Sequence, residues 1–269
     1  MGNVFNMIAG GSGGGSGGSG TLYGTVTWAS GTDEQIVAMV ADADAGLINL
    51  ADYWTVGDER QVTLSAMDAT GVGESHVQQT VTLVLMNAGG KTLAEATPSG
   101  RTECSFIVGI KNGLANGTTG EPGYMNSSNT TDGGWNGCAR RTWCNNVFRN
   151  AIPDTLRPIF KQHLNVTANG SGSTTTTSTD YFALPAEKEV FGSSSHGNST
   201  AEASLTQFEY YTTSANRIKK KGDSGSASYW WLRTVARGSS TNFCYVTSVG
   251  NISGYRASDT DLLAPFGCI

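Results

Sequence analysis

The chain has 269 residues, enough for one large domain or two small ones, with 36 glycines, 14% charged residues and a formal net charge of -5. The acidic balance argues against tracking a phosphate backbone, and no stretch approaches the ~20 apolar residues of a membrane-spanning helix. The glycine content and sparse charge exclude a helical bundle and point to a strand-rich, loop-rich protein.

Residues 9–20 are almost wholly Gly and Ser, a linker composition that buries nothing. The first residues lack the basic stretch and apolar length of a secretory signal. Tyr23 to Trp28 alternates and reads as a strand. Thr32 or Asp33 then caps a helix to about Ala45. Ile36, Met39, Val40 and Ala43 fall on one face, and Gly46 is placed to stop it. Strands follow at 61–66, 77–86 and 104–110, and a long Gly- and Asn-rich loop runs to Asn136. Helices are expected at about Ala139–Asn150 and Asp154–His163, with Pro153 and Asp154 marking the break. The Ser/Thr-rich 170s read as a hairpin tip or loop. Tyr181–Leu184 reads as a strand, and Pro185 starts a short helix over Ala186–Phe191. Three boundaries result: an attachment segment 1–20, a strand–helix module 21–51, and a main domain 52–269.

The last forty residues hold three aromatic or aliphatic runs separated by two polar loops. The runs are Tyr229-Trp230-Trp231-Leu232-Arg233, Asn242-Phe243-Cys244-Tyr245-Val246 and Leu263-Ala264-Pro265-Phe266-Gly267-Cys268-Ile269. Such runs, bounded by Gly and Ser, read as buried strands presenting adaptable loops. The candidate binding face is residues 232–256: Leu232, Thr234, Val235, Arg237, Ser239, Ser240, Thr241, Asn242, Thr247, Val249, Asn251, Ser253, Tyr255 and Arg256. Arg237, Tyr255 and Arg256 are the expected anchors, because Arg and Tyr bury large area at modest entropic cost. Alternation puts one ring of Trp230 and Trp231 on each face. They serve either as a core residue and one under a loop, or as a platform for a ligand.

Catalytic motifs are sparse. His76, His163 and His196 have no second ligand at metal spacing, and His163 suits a helix end. Glu187 and Glu189 could be a glycan-hydrolysing pair, but their place beside Lys188 on a short helix suits surface and capping roles. Asp259 and Asp261 flank Thr260 as in an ordinary turn. The five cysteines sit largely among apolar neighbours and read as reduced, buried thiols. The expectation is a binding protein with no enzymatic activity, cofactor or metal, and no nucleic-acid partner.

Several pieces carry a resemblance. They are Gly133-Gly134-Trp135 leading into Arg140-Arg141-Thr142-Trp143-Cys144-Asn145-Asn146, Tyr181-Phe182-Ala183-Leu184-Pro185-Ala186-Glu187-Lys188-Glu189, Tyr229-Trp230-Trp231-Leu232-Arg233, and the final Ala264-Pro265-Phe266. Over roughly residues 52–269 the chain resembles C-type-lectin-like domains of phage and prophage tail-associated proteins. That fold is shared with the variable proteins of diversity-generating retroelements and, more distantly, with formylglycine-generating enzymes. The resemblance implies an α+β fold, two helices packed on a twisted, mostly antiparallel sheet. It implies a receptor-binding (adhesin) role toward a host-surface protein or glycan. Residues 232–256 would be the recognition face, open to sequence diversification. Residues 1–50 would attach to tail or particle proteins, as a homo-oligomer with a trimer favoured. The location implied is the virion tail, after synthesis in the bacterial cytoplasm. The alternative is a structural or decoration protein of the virion. The calcium motifs of sugar-binding members are broken at Glu121-Pro122-Gly123 and Trp135-Asn136-Gly137, and no calcium site is carried over.

Overall fold

The computed structural model describes residues 23–69, 72–115 and 123–269. The attachment segment 1–20 and the Glu121-Pro122 pair therefore lie outside the described residues. The protein is α+β, and its strands pair antiparallel throughout the named sheets.

Helix α1 spans Asp33–Asp44. Thr32 caps it by accepting from the Gln35 N–H while the Gln35 side chain accepts from the Thr32 N–H, a capping box. Gly46, at φ 76°, follows the helix end in the left-handed region that favours glycine. Ile36, Met39, Val40 and Ala43 are buried as the periodicity requires. The alternation at Tyr23 to Trp28 does not give a strand. The segment forms turns, with Gly31 N–H donating to Thr27 O, and packs on α1. Tyr23 donates to Asp42 at 2.6 Å, and Trp28 lies 5.4 Å from Trp54. Buried residues of 23–51, Trp28 to Leu50 among them, share one core with the rest of the described chain.

The central sheet joins β1 (Glu59–Leu64), β2 (Gln79–Ala88), β3 (Phe106–Ile110), β12 (Phe266–Cys268) and β6 (Phe182–Ala183), in that order. The C-terminal strand lies in its interior, and Ile269 exchanges backbone bonds with Phe106.

The first expected C-terminal helix forms as α2 (Ala139–Trp143), a π-helical turn at Cys144–Phe148, and α3 (Arg149–Ala151). The second, over Asp154–His163, does not form. Pro158 has no N–H to continue a ladder, so only a 3-10 turn at Arg157–Ile159 survives. The chain then becomes β4 (His163–Ala168), paired with β5 (Thr175–Asp180) around the Ser/Thr-rich tip. His163 is accordingly a buried strand residue and not a helix-end partner. The short helix α4 spans Glu187–Phe191. After a small hairpin, β7 (Lys219–Lys220) with β8 (Ala227–Ser228), the terminal sheet forms from β9 (Trp230–Val235), β10 (Asn242–Val246) and β11 (Ile252–Arg256), with β10 central.

Candidate functional site

The structure divides the sequence-predicted face. Every residue of β9 is buried, so Leu232, Thr234 and Val235 contact nothing outside the fold. Strand β9 meets α4 and its flanks on one side: Arg233 N–H donates to Pro185 O, and the Thr234 hydroxyl donates to Glu202 and accepts from the Glu187 N–H at 2.7 Å. Thr234 therefore ties three segments together.

The two loops also lie at opposite ends of the sheet. Loop 236–241 joins β9 to β10 at one end, and the turn 247–251 joins β10 to β11 at the other. The five residues of β10 separate them by about 17 Å. Arg237, Ser239, Ser240, Thr241 and Asn242 fall at the first end, with Tyr255 and Arg256 beside them in register. Thr247, Val249 and Asn251 fall at the second, and Ser253 sits between, opposite Tyr245. Loop 236–241 is braced by its neighbours: Thr131 N–H donates to Ser240 O, Gly238 N–H to Ser171 O, and Arg237 N–H to His196 O. Four loops thus make one fixed end, from which Arg237 and Ser240 are exposed.

A row of tyrosines crosses the terminal sheet. Tyr245 pairs across the strands with Trp231 and Ser253, and Tyr255 lies two residues beyond Ser253 on the same face. The rings of Tyr229 and Tyr245 are 5.4 Å apart, as are those of Tyr245 and Tyr255, and both pairs are tilted. Tyr229 and Tyr255 are 43% and 40% exposed, whereas Trp231 beneath them is fully buried with its indole N–H on Gly123 O. Trp230, on the opposite face of β9, stacks on Tyr211 and is also fully buried. The two tryptophans are supports, and the exposed rings belong to the tyrosines. Tyr255 was legible as an anchor. Tyr229 and Tyr245 sit inside apolar runs, and only the strand register set by the turn 247–251 brings them to Tyr255.

Asp259 and Asp261 lie beside this row. The Asp259 charge is the main influence raising the Tyr255 phenol above its ordinary value. Asp261 is buried, and its Oδ2 has no partner among the described residues. Burial, with Asp259 adding, pushes its carboxyl up to about 7. A carboxyl raised in the folded state binds a proton more tightly there than when unfolded. Its penalty is absent below the unfolded value near 3.8 and grows as pH rises toward 7. Asp261→Asn is expected to raise stability at pH 7.5 by roughly 1–3 kcal/mol and to leave it nearly unchanged at pH 4, which denaturant titration at the two pH values measures. A gain of equal size at both would place the effect elsewhere than in this titration.

The charges below the sheet are structural. Contrary to the surface role expected for them, Glu187 and Glu189 are 0% and 1% exposed. The Glu187 carboxylate accepts backbone N–H bonds from Ser195, His196 and Gly197, gathering that loop. A Cβ on Gly197 would lie 2.3 Å from Thr234 Cγ2, so only glycine permits this approach. Glu189 receives both ends of the Arg233 guanidinium, at 2.5 and 2.7 Å, and the Lys91 ammonium. Burial alone would raise the Glu189 carboxyl, but Arg233 and Lys91 outweigh it and hold it down at about 2. With both carboxylates enclosed in this way, the pair does not form an open hydrolytic site. Burial, with the Lys91 charge adding, lowers His163 to about 3 and keeps it neutral. Trp135 is a core residue whose indole N–H donates to Asp180 at 3.1 Å. Among the described residues no group of three or more His, Cys, Asp or Glu side chains is arranged to hold a metal. All five cysteines are buried free thiols.

No curated protein and no solved structure matches the chain. The model of a family described as a domain of unknown function, DUF6273, matches residues 113–265, a span that holds α2, the tyrosine row and most of the buried charges. By that match, the chain belongs to the DUF6273 family.

Proposed function

We propose that this chain is a binding protein of C-type-lectin-like architecture, carried on a phage or prophage tail, that recognises a host-surface protein or glycan. The observation that supports the reading best is the row Tyr229–Tyr245–Tyr255 over the buried Trp231, with its two outer rings exposed and Tyr245 half-buried between them. Three contacting aromatic rings at an exposed face are the kind of patch that marks an interaction site. Tyrosine suits the role because its ring supplies apolar area and its hydroxyl a hydrogen bond, with only two torsions to immobilise. The braced loop end, with Arg237 exposed, extends the surface, and its sequence can vary without disturbing β9. Attachment to the particle through residues 1–50, as a trimer, belongs to the same reading.

The test is retention of the purified protein on bacterial envelope fragments, with the double variant Tyr229→Ala/Tyr255→Ala as comparison. Loss of two hot-spot side chains is expected to weaken binding by about 100-fold or more, with the melting midpoint little changed. Equal retention by the double variant, or tails purified without this chain, would overturn the reading.

A further inference from the structure

Lys91, Glu189 and Asn165 meet in the interior, beside a cavity that touches the first two. Their exposures are 4%, 1% and 0%. Lys91 lies in the connection after β2, Asn165 in β4 and Glu189 in α4. The Lys91 ammonium donates to Asn165 Oδ1 at 3.0 Å and to Glu189 Oε1. The Asn165 amide is fixed in orientation, because its Nδ2 donates to Asp180 Oδ2 at 3.0 Å. Its carbonyl therefore faces the lysine and its amino group faces a carboxylate. The Phe266 ring, 5.5 Å from Lys91 Nζ, helps exclude water.

We propose that Lys91 and Asn165 become joined by an intramolecular amide bond, with Glu189 carrying the proton. Glu189 takes a proton from the Lys91 ammonium, and the free amine attacks Asn165 Cγ. The Nζ–Cγ bond forms, Glu189 relays to Nδ2 both the proton it took from the ammonium and the one Nζ sheds after attack, and the Cγ–Nδ2 bond breaks with Nδ2 leaving as an ammonium ion. In balance, a lysine ammonium and a carboxamide give a secondary amide and an ammonium ion. Glu189 begins and ends as a carboxylate, and no oxidant or further reactant is consumed. Three features favour the step. The groups are already held in contact, which replaces a bimolecular encounter by a unimolecular one. Burial, the largest influence on Lys91, favours its neutral amine, with Glu189 opposing and Arg233 adding to it. Arg233, gripping both oxygens of Glu189, holds the proton carrier in place, and because the same grip keeps that carboxyl low, proton transfer to it is the slow part of the step. A cavity of about 250 Å³ lined in part by Lys91, Glu189, Leu164 and Thr92 borders the cluster on the side of the lysine and the carboxylate. The product would close a loop between residues 74 apart in sequence.

The denatured full-length protein is expected to weigh less than its sequence by one ammonia. Its tryptic digest should lack cleavage after Lys91 and contain a branched peptide joining that segment to the Asn165 segment. Lys91→Arg should restore the full mass. Asn165→Asp should give a linked product of the same mass as the linked wild type, since water leaves in place of ammonia. A wild type of full mass that is cleaved after Lys91 overturns the proposal. So does an ammonia loss that maps to an Asn-Gly pair such as Asn136-Gly137. Glu189→Gln is expected to remain unlinked while folded. Linkage at the wild-type rate in that variant would overturn the role given to Glu189, and the wild-type and Lys91→Arg masses decide the bond itself even if Glu189→Gln does not fold.

Discussion

Arg233→Met is expected to destabilise the protein by about 3–5 kcal/mol, the range for removing one partner of a buried ion pair. Arg233 is fully buried and makes three hydrogen bonds: two to Glu189, and one from Nη1 to Leu184 O at 2.8 Å. Methionine fills much of the volume, so the loss reports the charge and not a cavity. Glu189 would keep only Lys91 as a counter-charge where that lysine is unlinked, and none where it is linked to Asn165, and in either case its carboxyl would rise from about 2. The linkage gives a second signature. A carboxyl depressed in the folded state contributes stability above its unfolded value of 4.5, lost as pH falls toward 2. With Arg233 gone the acid-induced loss should begin at higher pH. Compared in an unlinked Asn165→Ala background, replacing Lys91, Glu189 and Arg233 together by apolar residues should recover most of the deficit, because no orphaned charge remains. Denaturant midpoints across pH 2–8 would check all three statements. A single variant no less stable than one at exposed Arg237 would show that the pair contributes nothing.

The parts of this fold that were legible in sequence are those that depend on near neighbours. Thr32, the spacing of Ile36, Met39, Val40 and Ala43, and Gly46 specify α1 within one stretch of chain. The apolar runs at β2, β3, β9 and β10 locate strands, with ends displaced by a residue or two. The helix expected over Asp154–His163 rests on Pro153 and Asp154 as a start signal, but Pro158 stops any ladder at a single turn. Tyr23 to Trp28 alternates like a strand but has no partner edge, and the burial of Trp28 against Trp54 decides its path.

The candidate site was less legible, for a different reason. Loop composition located residues 232–256 but could not show that the strands carry the two loops to opposite ends, nor that Thr234 is taken up by Glu187 and Glu202. Glu189 and Arg233 are 44 residues apart, and nothing local marks a charged residue in an apolar strand as paired. The short helix Glu187–Phe191 reads as a surface element because both its acids are ionisable. Its burial follows from partners on β9, the loop before it and the loop after it. Local periodicity reports what a residue's neighbours in sequence demand, and these side chains answer to neighbours in space.

Phe266→Ala is expected to cost about 3–5 kcal/mol, the largest loss foreseen for a single apolar side chain here. Trp143, Phe182, Trp230, Trp231, Phe243 and Phe266, which come from apolar runs in both halves of the domain, share one core. Phe266 has the most central place. Strand β12 lies between β3 and β6, and Phe266 stands opposite Gly109 on one side and Ala183 on the other. These small partners leave room for its ring, which is fully buried, 5.3 Å from Phe208 and 5.2 Å from His163. The Arg233 guanidinium lies 5.9 Å from the same ring, so Phe266 also walls the ion cluster. Alanine would leave a cavity that neither glycine nor alanine across the strands can fill, and would let water approach Lys91 and Arg233. Phe266→Leu keeps most of the apolar volume and should cost roughly a third as much. The contrast with Tyr229→Ala, an exposed ring whose loss should move the melting midpoint little, separates the part of the aromatic content that holds the fold from the part that faces a partner. If Phe266→Ala melts with the wild type, the C-terminal strand is not the keystone of the central sheet, and the order β3-β12-β6 is wrong.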